Sequence, residues 1–384
     1  MVKSLRSALI KDIRFVGKDQ LVRSPKDSWV MFRANSMHTG VSSSYLPSSP
    51  SLQWLAEVGE IVASPVFDNK ILYVPSMMGM LFALNSKKKN VLWHLDIGSP
   101  LIASPLIHKD MLVVATFDSW VKDIHYLGAN FVFGVDASEG RTKWKCKIDG
   151  DVFSSPCVHG NTCVIGSLDN NVYAININNG ELQWKHPTDG AVWSSPALSD
   201  DVIFIGSDDG NLYALNLDGS IKWKSKLNGM TRSSSPCISD ERIFMGTYNG
   251  AMCAINMNDG RMIWEAHTNA PVLSSPAVID EKVLFASSDH KLYCLNTIDG
   301  KKLWELETDN AIWSSPALTE SAAFVGSLGG HIYSVDLKSG KRTWKFPTMQ
   351  MIDSSPCIAD GMLFVGSRDG ILYVFGSSVP DYIG

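Results

Sequence analysis

No stretch of this sequence stays apolar and uncharged for the roughly 18 residues that a membrane-spanning helix needs. Its N-terminus lacks the apolar core of a secretory signal, which makes the cytoplasm the expected compartment. The seven cysteines, Cys146, Cys157, Cys163, Cys237, Cys253, Cys294 and Cys357, include no adjacent pair and no CxxC spacing. Neither a disulfide framework nor a zinc site is therefore signalled, and buried, reduced thiols are expected. The nine histidines show no HxxxH or HExxH spacing. A GxSxG elbow, a P-loop and a strand-linked GxGxxG are missing as well, so no common signature of hydrolase or nucleotide chemistry stands out. A net charge of −5 with 19% charged residues argues against a polybasic nucleic-acid binder and against a disordered chain.

What is present is repetition. At 384 residues the chain exceeds the size at which one compact core usually stops growing, which implies several domains or a modular array. Ser-Pro dipeptides end at Pro65, Pro105, Pro156, Pro196, Pro236, Pro276, Pro316 and Pro356, spaced by 40, 51 and then five times 40 residues. A second ladder, Trp54, Trp93, Trp144, Trp184, Trp223, Trp264, Trp304 and Trp344, runs 11 to 13 residues ahead of the same prolines. Two registers in step at a period near 40 point to propeller blades. Within a unit the apolar runs are short and β-rich, as in VIFIGS, LYALNL and IKWKSKL. Asp209-Gly210, Asp218-Gly219, Asn179-Gly180, Asp259-Gly260, Asp299-Gly300 and Asp369-Gly370 supply the positive φ of tight turns between them.

The expected fold is therefore all-β: an eight-bladed β-propeller of four-stranded antiparallel blades. A proline is tolerated only at a sheet edge, which puts the Ser-Pro strand innermost, facing the axial channel. The tryptophan then falls on the outermost strand, where an indole burying about 150–250 Å² at ~25 cal/mol per Å² covers a blade seam. The last unit ends without its tryptophan strand, whereas Ser51-Leu52-Gln53-Trp54 stands at the front with no unit before it. The front strand is expected to complete the last blade and so remove the open edge.

The unit GSDDGNLYALN, DGSIKW and SSP resembles the tryptophan-docking repeat of the pyrroloquinoline-quinone-like β-propellers, and the likeness runs from Trp54 to Phe375. The leader carries Trp29-Val30-Met31-Phe32-Arg33, similar to the Trp-x-x-Phe-Arg lead-in common in that superfamily. The resemblance implies the fold but no single task, because members range from quinone-dependent alcohol dehydrogenases to an outer-membrane assembly lipoprotein. The dehydrogenases typically carry a vicinal cysteine pair, carboxylate and amide ligands for calcium, and an export signal. This sequence has no Cys-Cys pair, and its first cysteine is Cys146, so it offers no lipid-attachment cysteine near its start. No cofactor is expected, with pyrroloquinoline quinone the lesser alternative, and no metal.

Candidate site residues come from positions that break the repeat. Three residues before each Ser-Pro proline the ring reads Val62, Ile102, Phe153, Trp193, Ser233, Leu273, Trp313 and Asp353, with Arg232 beside Ser233. Phe153, Trp193 and Trp313 would form an apolar wall, Arg232 could grip a carboxylate or phosphate, and Asp353 could take a proton or pair with a cation. The bland alternative is a set of wedging aromatics with an Arg232–Asp353 rim ion pair. An excess of about eleven residues in the second blade, within Phe117 to Asn130, carries Trp120 and His125. It is either a functional face loop or a cap on its own blade. Asp353 and His125 are the weak catalytic candidates.

Residues 1–28 hold seven basic and three acidic side chains, and Leu5, Leu9, Ile13 and Val16 fall at helical spacing. The expected organisation is a basic leader over 1–28, with a short amphipathic helix, and a single propeller over 29–384 with its insertion within 117–130. The expected function is a binding or scaffold propeller presenting its channel mouth to a protein partner or a small apolar acid. It is expected to bind no nucleic acid, to have no transmembrane segment and to be a monomer. The alternatives are a cofactor-independent enzyme acting on an apolar acid and, less so, a quinone-dependent oxidoreductase.

Overall fold

The computed structural model describes residues 15–17, 28–118 and 130–377, and within them every regular element is a β-strand. Eight antiparallel sheets form the ring. Blade four is typical: Ala197–Ser199, Val202–Gly206, Asn211–Asn216 and Ile221–Lys226 run in order from the axis outward. The first blade begins at Val66–Asp68. The eighth contains Cys357–Ala359, Met362–Gly366 and Ile371–Gly376, and Ser51–Glu57 pairs with the last of these as its outer strand. Head and tail of the chain thus share one sheet, as the unpaired tryptophan strand at the front required.

Two local expectations are corrected. Each proline precedes the short innermost strand instead of lying in it, so the strand keeps its full set of N–H donors. In the leader, Phe15–Gly17 is a strand paired with Ser51–Glu57, which adds a fifth strand to the eighth sheet. The helical reading therefore fails at Val16; Leu5, Leu9 and Ile13 lie outside the described residues. Pairing on an open sheet edge satisfies main-chain groups that a marginal helix of this length would satisfy poorly.

The tryptophans hold the seams by a device the spacing alone did not reveal. In every outer strand the residue just before the tryptophan is bulged out of register, Lys222 before Trp223 and Leu303 before Trp304 among them. A bulge re-aims the next side chain. The indole Nε1 of Trp93, Trp144, Trp184, Trp223, Trp264 and Trp304 then donates to a main-chain carbonyl of the next blade at 2.8–3.2 Å. The ring face lies on the glycine of that blade's outer turn: a Cβ at Gly300 would sit 2.8 Å from the Trp264 ring. Glycine is needed there both for its φ of +71° and for the space. All seven cysteines are buried and free.

Candidate functional site

The loop from each outer strand to the next inner strand ends in the Ser-Pro pair, so one loop per blade reaches the channel mouth. The second serine of each loop builds a closed hydrogen-bonded ring. The N–H of Ser64, Ser104, Ser155, Ser195, Ser235, Ser275, Ser315 and Ser355 donates to the hydroxyl of the next serine round, at 2.9–3.1 Å, and Ser355 returns to Ser64. These serines lie in the turn before the strand and lock the blades together there, rather than forming strand as the sequence suggested.

Above this ring is a cavity of about 340 Å³. All eight repeat-breaking positions line it, including Phe153, Trp193, Trp313 and Asp353, and Arg232 joins them. Phe153 and Trp193 meet edge to face at 5.4 Å, and Trp313 keeps 43% of its surface exposed. The Arg232 guanidinium lies over both the Trp193 ring at 5.6 Å and the Tyr248 ring at 5.0 Å. Its backbone is held at a φ of +37°, a left-handed conformation that a non-glycine residue adopts at a cost.

The ion pairs differ from the Arg232–Asp353 pairing considered above. Arg232 Nε faces Asp208 at 3.5 Å, and the Arg232 N–H donates to Asp208 Oδ1 at 3.2 Å. Asp353 instead accepts from Arg368 Nε at 2.9 Å and Nη2 at 2.5 Å, both on Oδ2. Arg368 also faces Glu60 at 3.4 Å. Burial raises the pKa of both Asp208 and Glu60, each offset in part by its arginine. Asp208, Tyr248 and Arg368 were missed because they occupy the turn between second and third strands, one position after its Ser or Thr.

The leader was missed as a structural part of the site. Residues 29–42 run round the inside of the channel. Phe67 and Trp29 exchange two main-chain bonds of 2.8 Å, and the N–H groups of Ile107, Leu198, Ile238, Val278 and Leu318 donate to leader carbonyls. These are the inner-edge donors that a propeller otherwise leaves to water. Arg33, 1% exposed, donates to the carbonyls of Pro276 and Pro316, and His38 bonds Pro236 O at 3.1 Å. Burial pulls the Arg33 pKa down to about 10 and, with Arg33 beside it, that of His38 to about 3. Phe32 also lines the cavity, carried by a leader whose main-chain bonds fall three residues beyond the serine ring on each inner strand it meets.

The insertion joins the second and third strands of blade two. Its stem reaches the mouth, where Phe117 N–H donates to Pro100 O and Asp118 N–H to Asp151 Oδ1. Trp120 and His125 lie outside the described residues. Among the described residues no group of three or more His, Cys, Asp or Glu side chains converges as metal ligands. Asp353, the one carboxylate among the described residues lining the cavity, is taken up by Arg368, and all seven thiols are buried. That donor set does not fit a metal-held quinone under a cysteine pair.

The fold matches known structures closely. The BamB structure from Moraxella catarrhalis aligns with a TM-score of 0.73 at 16% identity, covering 85% of this chain and 99% of that one. A europium-containing methanol dehydrogenase aligns at 0.76 and 14% identity, covering 91% and 98%. In sequence, the outer membrane protein assembly factor BamB of Burkholderia pseudomallei (strain K96243) is 27% identical over 122 residues, 31% of this chain and 29% of the relative. The match thus spans less than a third of that protein. Two family models match, the β-propeller of the beta-alanine-activating enzyme over residues 128–323 and the outer membrane protein assembly factor BamB over 41–191 and 307–377. With each of these propeller models spanning more than half of its length, the chain belongs to the pyrroloquinoline-quinone-like β-propeller superfamily that they describe.

Proposed function

We propose that the protein is a binding propeller whose channel-mouth cavity takes an apolar or aromatic acid, either a free small molecule or the carboxylate end of a peptide segment. The observation that carries this reading is Arg232, stacked against Trp193 and Tyr248 over a mostly apolar cup. Stacking pre-orients the guanidinium, Asp208 faces its Nε at 3.5 Å without a hydrogen bond, and among the described residues none holds the Nη groups, which leaves them for a carboxylate. A cavity of about 340 Å³ suits a small apolar body with one or two polar anchors. The assembly-factor names of the BamB relatives support a partner of protein origin. Asp353 serves this reading as the counter-ion of Arg368, since Arg368 takes both its bonds on Oδ2.

Calorimetric titration tests it with 4-phenylbutyrate, its neutral amide, and a short peptide ending in Phe with a free or an amidated C-terminus. The acid forms are expected to bind at least tenfold more tightly than the amides, and Arg232→Ala to abolish that difference. Binding of the peptide acid alone would assign the partner to protein. Acid and amide binding equally, or no saturable binding of any probe, sinks the reading.

A further inference from the structure

We infer that Phe32 is a specificity-determining residue: the leader holds it across the channel as a fixed floor that sets how long an apolar ligand the cavity accepts. The inference rests on the binding reading above and adds what limits the ligand. Arg232 comes three residues before its blade's ring serine, Ser235, whereas the leader bonds the inner strands at Phe67, Ile107, Leu198, Ile238, Val278 and Leu318, each three residues beyond the ring serine of its blade. With both Arg232 and Phe32 lining the cavity, an acid held by Arg232 directs its apolar end toward the Phe32 ring.

The floor is built to stay in place. Phe32 packs edge to face on His38 at 5.5 Å, and His38 is pinned to Pro236 O. The neighbouring Arg33 is pinned to two further proline carbonyls. On one side Trp29 and Val30 bond to the first two inner strands, and on the other Ser36, Met37, Thr39 and Gly40 bond to four more. The chain at Phe32 therefore cannot retreat without breaking bonds all round the ring. Arg33 and Ala34 both sit in left-handed backbone, at φ +60° and +74°. Two adjacent non-glycine residues in that region are strained and persist only where the surroundings over-determine them. Phe32 is also a lining residue that no repeat supplies.

The test is affinity against chain length for phenylacetate, 4-phenylbutyrate and 6-phenylhexanoate, measured on the wild type, Phe32→Leu and Phe32→Ala. One methylene too many against a rigid wall costs about 10- to 200-fold in discrimination. The wild type is expected to disfavour 6-phenylhexanoate relative to 4-phenylbutyrate by at least tenfold. Phe32→Ala is expected to erase that preference, with Phe32→Leu intermediate. Should Phe32→Ala fail to fold, the Leu variant still reads the trend. Wild-type binding with the same relative affinities in every variant overturns the floor while leaving the binding reading intact. Failure of the wild type to bind any member overturns the binding reading itself.

Discussion

The N–H of Ser355 donates to the hydroxyl of Ser64 at 3.1 Å across 291 residues of chain, and this bond closes the eightfold serine ring. Seven equivalent bonds join blades that adjoin in sequence, whereas this one joins the last blade to the first. Ser64→Ala leaves the buried Ser355 N–H without its acceptor, a loss of about 1–3 kcal/mol. Ser275→Ala removes the acceptor of Ser235 in the middle of the chain and is expected to cost a similar amount. Urea unfolding of both variants checks this, and an unchanged midpoint for either would show the ring to be incidental.

The docking glycines separate sterics from backbone strain. Gly300 and Gly160 both have positive φ, at +71° and +56°, but a Cβ at Gly160 meets nothing within 4 Å while one at Gly300 meets the Trp264 ring. Gly160→Ala is expected to cost about 1–2 kcal/mol for left-handed backbone alone. Gly300→Ala adds the displacement of the indole and its bond to Thr297 O, for a further ~1–3 kcal/mol. Equal losses in denaturant titrations would mean that the tryptophan yields freely and the seam does not depend on it.

Closure predicts what truncation does. Removing residues through Trp54 strips the first four of the seven residues of the outer strand Ser51–Glu57 from the eighth blade, exposes the edge at Val374, Phe375 and Gly376, and takes away the leader that satisfies the inner strands. Loss of a single cooperative unfolding transition, with aggregation through the bared edge, is the expected result. A melting curve matching the full chain would contradict it.

How much of this was readable in advance depended on whether a residue belongs to the repeat. Trp184 and Trp223 give away blade number and outer strand by spacing, and Trp54 gives away the closure because it stands at the front without a unit. Phe153, Trp193, Arg232, Trp313 and Asp353 were findable because a site that departs from a forty-residue pattern is visible by counting. Asp208, Tyr248 and Arg368 were findable by the same count taken one turn further, against Met77, Leu168 and Leu328 at the equivalent positions. The ion-pair partners therefore needed both rings. The course of Trp29 to Ser42 was not legible, because this segment repeats nothing and its partners are main-chain carbonyls and N–H groups that no side-chain pattern announces.

His38 gives the molecule an acid-sensitive element. Its imidazole is fully buried, and its pKa falls from the ordinary 6.5 to about 3. Between those values the unfolded chain takes up a proton that the folded chain refuses, so stability drops as pH falls through that window. Above it this residue contributes no pH dependence. His38→Gln removes the titration, so the stability advantage of wild type over variant should shrink steadily from pH 7 to pH 4 in urea-unfolding measurements. A difference that stays constant with pH would refute the assignment.

The Arg368–Asp353 pair separates a bridge that stabilises from one that merely has to stay whole. Asp353 keeps only 8% of its side chain in solvent and relies on Arg368, which keeps 26%. Arg368→Leu leaves a nearly buried carboxylate without its cation. That is expected to cost roughly 3 kcal/mol, the lower end for a buried pair because water still reaches the arginine. Asp353→Leu costs less, since Arg368 can turn to Glu60 at 3.4 Å. The double variant should recover most of the loss, because two apolar side chains of similar volume replace both charges at once. If it is as unstable as the sum of the single variants, the two residues act independently, and Asp353 becomes free for a role in the cavity that its grip on Arg368 otherwise denies it.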